Sequence, residues 1–334
     1  MLLLVFSLSC SAQKKHHLQF KNTAELREFL DARKTVYPLV SAHRGAPMPG
    51  FPENCIETFE NATKYQPLII EFDVALSKDS LLVIMHDDQL ERTTTGSGPI
   101  NSYTYKQLQT FRLKDQEGKV TNFKIPTLTE VLRWGKNKVL FTIDIKKGVP
   151  YEKIIAAIRQ TKSESNSIII TYNARQAAAF HQLAPDLMIS ASVRRKEDLD
   201  RLNQMGVPDN RIVAFVGVAA PDKAVYTYLN SKGISCILGT MGNLDKSAAA
   251  NPNRKVFYHL VANGAAFLST DDLIGAGKEL DQYRQDKQVK SKFSTKNHWL
   301  ATFLLMEDWW RYCHWFLIFR LWKNYFYLQQ FVAF

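Results

Sequence analysis

Four successive apolar runs in the first half of the chain end in ionisable residues. His43 and Arg44 follow LVSA, Glu71 and Asp73 close LIIEFDV, His86 and Asp87 close LLVIM, and Asp144 and Lys146 close VLFTIDIK. Glu71 and Asp73 are two positions apart, so on a strand their side chains leave the same face. Carboxylates held side by side repel, and burying them is costly unless a cation joins them. Asp144 offers a third oxygen donor. Three carboxylates without clustered His or Cys ligands suit a hard cation, Ca²⁺ or Mg²⁺, better than zinc. A salt-bridged cluster around Arg44 and Lys146 is the competing reading of the same residues. Beside such a cation and two fixed positive charges, His43 and His86 make a general acid–base pair around a phosphate. The cation and Arg44 would neutralise a phosphodiester and its more highly charged transition state. One imidazole would take a proton from the nucleophile, and the other would give one to the leaving alkoxide. The chain carries no P-loop, no GxGxxG fingerprint and no Ser or Cys nucleophile motif.

Such residues need a scaffold that gathers strand ends. β-rich runs recur along the chain: PLVSAHRG, PLIIEFDV, LLVIMHDD, KVLFTIDIK, SIIITY, DLMISASV, RIVAFVGV, ISCILGT and AAFLSTDD. Most are near-continuous in Val, Ile, Leu and Phe, as strands buried on both faces are. From residue 130 onward they alternate with helix-like stretches over 150–162, 173–184, 195–205, 221–232 and 253–264. That alternation predicts a parallel sheet with crossovers. At 334 residues the expected fold is α/β, a closed (β/α)8 TIM barrel over 36–290. The active site of such a barrel lies at the C-terminal ends of its strands. Nine runs compete for eight places. EFDVALSKDSLLVIMHD has no room for a crossover helix, and Ser77-Lys78-Asp79-Ser80 suits a hairpin that would set Glu71 opposite His86. RIVAFVGV is the weakest candidate for a barrel strand. Residues 87–128 lack strong periodicity and are expected to form a small insertion after the third strand.

Composition narrows the class. With 46% hydrophobic and 22% charged residues, the chain can bury a sizeable core and is not a disordered protein. Its net charge of +11 is scattered and fits an anionic substrate or an anionic membrane surface about as well as nucleic acid; no nucleic-acid-binding motif occurs, and the charge alone decides nothing. The four cysteines, Cys10, Cys55, Cys236 and Cys313, have neither zinc-site nor disulfide-framework spacing. The start, MLLLVFSLSCSAQKK, has an apolar stretch of about 8 residues followed by small ones and reads as a signal peptide over 1–12. Cleavage after Ala12 would release a soluble secreted or periplasmic protein. Lipidation of Cys10 would anchor it, although Ser7 stands where a lipobox has Leu. Either route places the domain outside the cytoplasm. Residues 298–334 hold five of the six tryptophans, an abrupt change in composition. Glu307, Asp308, Arg311 and Arg320 interrupt any run of the roughly 20 apolar residues a spanning helix needs. The segment reads as foreign to the fold or as an interfacial aromatic stretch making peripheral membrane contact.

HRG, PENCIETF, EFDVALSKDSLLVIMHDDQLERTTTGSG, IPTLTEVL, FTIDIK and a late FLSTDD resemble, in order and spacing, the motifs of the glycerophosphodiester phosphodiesterase family. The resemblance covers residues 36–275 and implies a (β/α)8 barrel that hydrolyses small-molecule glycerophosphodiesters to glycerol 3-phosphate and an alcohol. Carried over by position, it implies His43 and His86 as the catalytic pair and Glu71, Asp73 and Asp144 as ligands of a divalent cation, Ca²⁺ or Mg²⁺. It makes Arg44 and Lys146 phosphate contacts, with Glu53 and Asn54 supporting the site. The alternative is a related phospholipase-D-like or lysophospholipid phosphodiesterase acting at membranes. Three positions depart from the family pattern. Asp144 stands where Glu is usual, and its shorter arm would weaken or shift the metal. Cys55 replaces a Thr, and LGTMGN stands where a Trp-Thr-Val-Asn stretch is common, on the glycerol side of the pocket.

Overall fold

In the computed structural model, which describes residues 15–297, each of the nine apolar runs contains a strand. They are β1 Leu39–Ala42, β2 Leu68–Leu76, β3 Leu82–Ile84, β4 Leu140–Ile145 and β5 Ser167–Thr171. β6 Met188–Ser192, β7 Ile212–Phe215, β8 Cys236–Gly239 and β9 Phe267–Thr270 follow. Residues 16–295 form one compact unit. The expected signal peptide at 1–12 and aromatic tail at 298–334 lie outside the described residues.

All the strands except β3 pair in parallel in the order β1-β2-β4-β5-β6-β7-β8-β9, and β9 pairs back onto β1, which closes an eight-stranded barrel. RIVAFVGV, the weakest candidate, is a full barrel strand. As β7 it pairs Ile189↔Ile212 with β6 and Ala214↔Cys236 with β8, because the ring cannot close without it. β3 is the run left outside. It lies antiparallel on the far end of β2, with Val74↔Ile84 and Leu76↔Leu82 in register. The hairpin is one residue out of the expected alignment. Its loop spans 77–81, closed by the Ser77 N–H donating to Leu81 O at 3.0 Å, and Met85 N–H donates to Asp73 O at 3.0 Å. Glu71 is therefore not the partner of His86.

The continuous apolar runs resolve into two faces with the two-residue strand period. Leu39, Ile69, Leu140, Ile168, Met188, Val213, Ile237 and Phe267 fill the lower interior, closed from below by Leu18, Phe20, Leu26 and Leu30. The residues between them, among them Val40, Ile70, Ile143, Ile169 and Leu268, belong to the larger core shared with the helices. Two positions above the lower layer lie Ser41, Glu71, Thr142, Ser190, Phe215 and Ser269. Two higher again come His43, Asp73, Asp144, Tyr172 and Ser192, and both tiers line one cavity. Several helices begin on side-chain caps. Thr127 and Glu130 form a capping box for Leu128–Gly135, and Asn173 and Asp222 accept from the first turns of Ala174–Leu183 and Lys223–Ser231.

The stretch between β3 and helix Leu128–Gly135 leaves the barrel. Met85, Leu90, Ile100, Leu108, Leu113 and Ile125 give it a small core of its own. It returns to the barrel at helix Leu128–Gly135.

Candidate active site

After β1 the chain turns sharply through His43–Gly45, with Arg44 at φ 51° and Gly45 at φ 85°. A Cβ on Gly45 would sit 2.3 Å from the Phe59 ring, so this turn requires glycine for both conformation and space. The Arg44 backbone N–H donates to Glu71 Oε2 at 2.8 Å, and the Asn54 N–H donates to Arg44 O at 3.0 Å. Asn54 also donates from Nδ2 to Asp73 Oδ2 at 2.8 Å and accepts the Asp73 backbone N–H at 3.1 Å. Glu53 takes Arg44 Nη1 at 3.2 Å on each carboxylate oxygen. The loop that leaves as HRG thus returns as the Glu-Asn pair that orients Arg44 and Asp73.

The β2–β4 register sets Glu71 beside Thr142 and Asp73 beside Asp144. The carboxylates of Glu71, Asp73 and Asp144 are buried, and one oxygen of each lies within 4.8 Å of the other two. Lys146 Nζ bridges Asp73 Oδ1 at 2.6 Å and Asp144 Oδ2 at 2.9 Å, so the salt-bridged reading is realised for two of the acids. It does not extend to Glu71, which accepts a backbone N–H. Burial and the charge of Asp73 push the Glu71 carboxyl up to about 8. For Asp73, burial works upward but is outweighed by the charge and hydrogen bond of Lys146 and by Asn54, which hold it below the usual range. Asp144 Oδ1 is buried without a hydrogen-bond partner. Three converging carboxylates, one with an orphaned oxygen and one resisting ionisation, fit a hard divalent cation, which would relieve both.

Both histidines line the same cavity, and each has Nδ1 against a carboxylate: His43 on Asp271 Oδ1 at 2.7 Å and His86 on Asp87 Oδ1 at 2.6 Å. The Nε2 of each ring has no hydrogen-bond partner among the described residues. Burial opposes protonation of His43, but the Asp271 hydrogen bond and the charges of Glu71 and Asp271 outweigh it and raise its pKa. Asp87 is gripped by Arg92, Nε to Oδ2 at 2.5 Å and Nη2 to Oδ1 at 3.0 Å. Those hydrogen bonds, against burial and with help from His86, hold the Asp87 carboxyl down to about 2. Arg92 also holds Glu53 bidentately, at 2.8 Å on each oxygen.

Asp271 and Arg92 are among the residues around the cavity to which the sequence assigned no role. The first had a signal, since STDD ends the last strand run in acids. The second lies in the insertion, where no periodicity marks it. Met241, in the LGTMGN stretch, lines the cavity. Cys55 is buried away from the site, with Sγ 3.2 Å from Thr58 Oγ1, and burial pushes its thiol up to about 12. The cavity encloses about 360 Å³.

The profile of the glycerophosphoryl diester phosphodiesterase family matches residues 43–211. A crystal structure of a glycerophosphoryl diester phosphodiesterase from Parabacteroides distasonis is 33% identical, with a TM-score of 0.78 over 85% of this chain and 100% of that one. A glycerophosphodiester phosphodiesterase of Bacillus subtilis is 30% identical over 220 residues, 60% of this chain and 72% of the relative. An Oleispira antarctica phosphodiesterase, solved with the product sn-glycerol-3-phosphate, shares the fold at 22% identity and a TM-score of 0.57, over 75% of this chain and 99% of that one. With its barrel closed and its family motifs gathered at one mouth, this chain belongs to the glycerophosphoryl diester phosphodiesterase family of hydrolases.

Proposed function

We propose that the enzyme hydrolyses glycerophosphodiesters to glycerol 3-phosphate and an alcohol, with a divalent cation and His43 and His86 as the acid–base pair. The observation that carries this reading is the convergence of three buried carboxylates and two carboxylate-backed imidazoles on one cavity. Glu71, Asp73 and Asp144 would hold Ca²⁺ or Mg²⁺, which supplies positive charge to a phosphoryl oxygen when bound. Arg44, oriented by Glu53 and with its buried Nε 4.0 Å from Asp73 Oδ2 but without a hydrogen-bond partner, offers a donor to a second phosphoryl oxygen. Lys146, already between Asp73 and Asp144, adds a further charge beside the phosphate. One histidine accepts a proton from the attacking oxygen while the other donates one to the departing alkoxide, so the net reaction adds water across a P–O bond. The Oleispira antarctica enzyme's bound product supports the glycerol 3-phosphate assignment by analogy of fold. The leader-like sequence at 1–12 supports action outside the cytoplasm.

The test is hydrolysis of glycerophosphoethanolamine with and without chelator, followed by His43→Ala and His86→Ala. Chelation should abolish turnover and Ca²⁺ or Mg²⁺ restore it. Each substitution should lower kcat by about 10² to 10⁴. A nitrophenyl diester, with its good leaving group, should rescue only the variant that lost the acid. Full turnover in metal-free protein, or histidine variants with kcat unchanged, would refute the mechanism.

A further inference from the structure

We propose that Arg194 selects substrates whose alcohol carries an acidic group, a carboxylate or a second phosphate. This rests on the phosphodiesterase reading above and extends it to the substrate class. Arg194 follows β6, which in the ring order lies four strands from β1 in either direction. It therefore stands across the barrel mouth from His43 and Arg44, while the acids of the site sit on β2 and β4. A phosphodiester seated over those acids would send one arm toward β6.

Charge separates this arginine from the other cations around the cavity. Arg44 is paired with Glu53, Lys146 with Asp73 and Asp144, and His43 with Asp271. Among the described residues the Arg194 guanidinium has no carboxylate partner. Asp198, four positions further on, is turned elsewhere: it accepts the Arg194 backbone N–H at 3.0 Å and lies 3.7 Å from Arg195 Nε.

Space separates it as well. Tyr172, Ser192 and Arg194 line both the reaction cavity and a second one of about 530 Å³, whose other charged residues are Arg195, Arg201 and Asp198. Three guanidinium groups against one carboxylate leave this annexe positive, and Arg194 stands at its threshold. Glycerol carries no charge, so an anion reaching this point belongs to the other alcohol. A planar guanidinium suits carboxylate or phosphate oxygens, and a quaternary ammonium would be repelled.

Glycerophosphoserine and glycerophosphoethanolamine differ by one carboxylate and form the matched pair for the test. In wild-type enzyme kcat/KM should favour the serine ester. Arg194→Ala should reduce the serine-over-ethanolamine ratio by about tenfold, the size of one hydrogen bond to a charged group. Arg194→Lys, which keeps the charge but not the fork, should retain part of the preference. The esters of inositol phosphate and inositol repeat the comparison with phosphate as the acid. A change confined to one pair assigns carboxylate or phosphate as the preferred group. Equal losses on both members of each pair, or no change in either ratio, would overturn the proposal. If neither ester is hydrolysed, the phosphodiesterase reading fails separately. Calorimetric titration of the same esters into wild type and Arg194→Ala then decides the arginine's role: a preference for the acidic ester that depends on Arg194 supports it, and equal affinities refute it.

Discussion

His43 Nδ1 lies 2.7 Å from Asp271 Oδ1, although 228 positions separate the two residues in the chain. The contact exists because β9 closes the barrel against β1, with Thr270 in register with Ala42. Asp271 is itself steadied by its backbone N–H on Asp245 Oδ2 at 3.0 Å. A carboxylate on Nδ1 sets the ring's orientation and keeps the proton on that nitrogen.

Asp271→Asn should therefore lower kcat by about 10- to 100-fold, as loss of a residue that orients a functional imidazole does. The same change should lower the His43 pKa, followed by NMR titration of the ring, and Asp271→Glu should restore part of both. An unchanged kcat with an unshifted His43 would show that the pair has no catalytic role.

Arg92 ties the two halves of the site together through Asp87 and Glu53. Arg92→Lys cannot reproduce two bidentate grips, and it should lower kcat about tenfold with little change in KM. Arg92→Ala should also free Asp87, whose carboxyl is held at about 2 against an ordinary 3.8. The stability from that depression is present above 3.8 and is lost as pH falls through about 2. Melting curves of variant and wild type should differ near neutrality and converge in acid. A constant gap across the range would contradict this account.

Glu71 behaves in the opposite sense. Without metal, the folded chain keeps its proton up to about 8, while the unfolded chain releases it near 4.5. The folded state thus binds the extra proton, and metal-free stability should fall as pH rises through that window. Added Ca²⁺ or Mg²⁺ should raise Tm most at the alkaline end, where the carboxylate is free to bind. Glu71→Gln should flatten the metal-free slope and abolish the cation's effect. A Tm insensitive to both pH and cation would remove Glu71 from the ligand set.

Asp144→Glu should keep activity and tighten cation binding, because the longer arm brings its orphaned oxygen toward the other two acids. Calorimetric titration of Ca²⁺ into both proteins checks this. Weaker binding by the Glu variant would mean that the shorter arm suits the present geometry.

What was legible in the sequence follows from local backbone geometry. A strand has a period of two, so Glu71 and Asp73 had to share a face, and the apolar runs had to present two buried faces. The missing crossover between Leu76 and Leu82 marked β3 as a hairpin partner. The tertiary structure decided whatever depends on which strands become neighbours. Asp73 meets Asp144 because β4 docks on β2 after an excursion of more than 60 residues through β3 and the insertion. Ring closure made RIVAFVGV a barrel strand and gave His43 its Asp271. The hairpin slipped by one residue because the Ser77 turn closes on Leu81, a choice of loop geometry that turn composition leaves open. Arg92 reaches Asp87 and Glu53 only because the insertion folds on its own small core beside the β1 loop. Periodicity is written residue by residue, whereas ion pairs between distant segments appear only when the chain closes on itself.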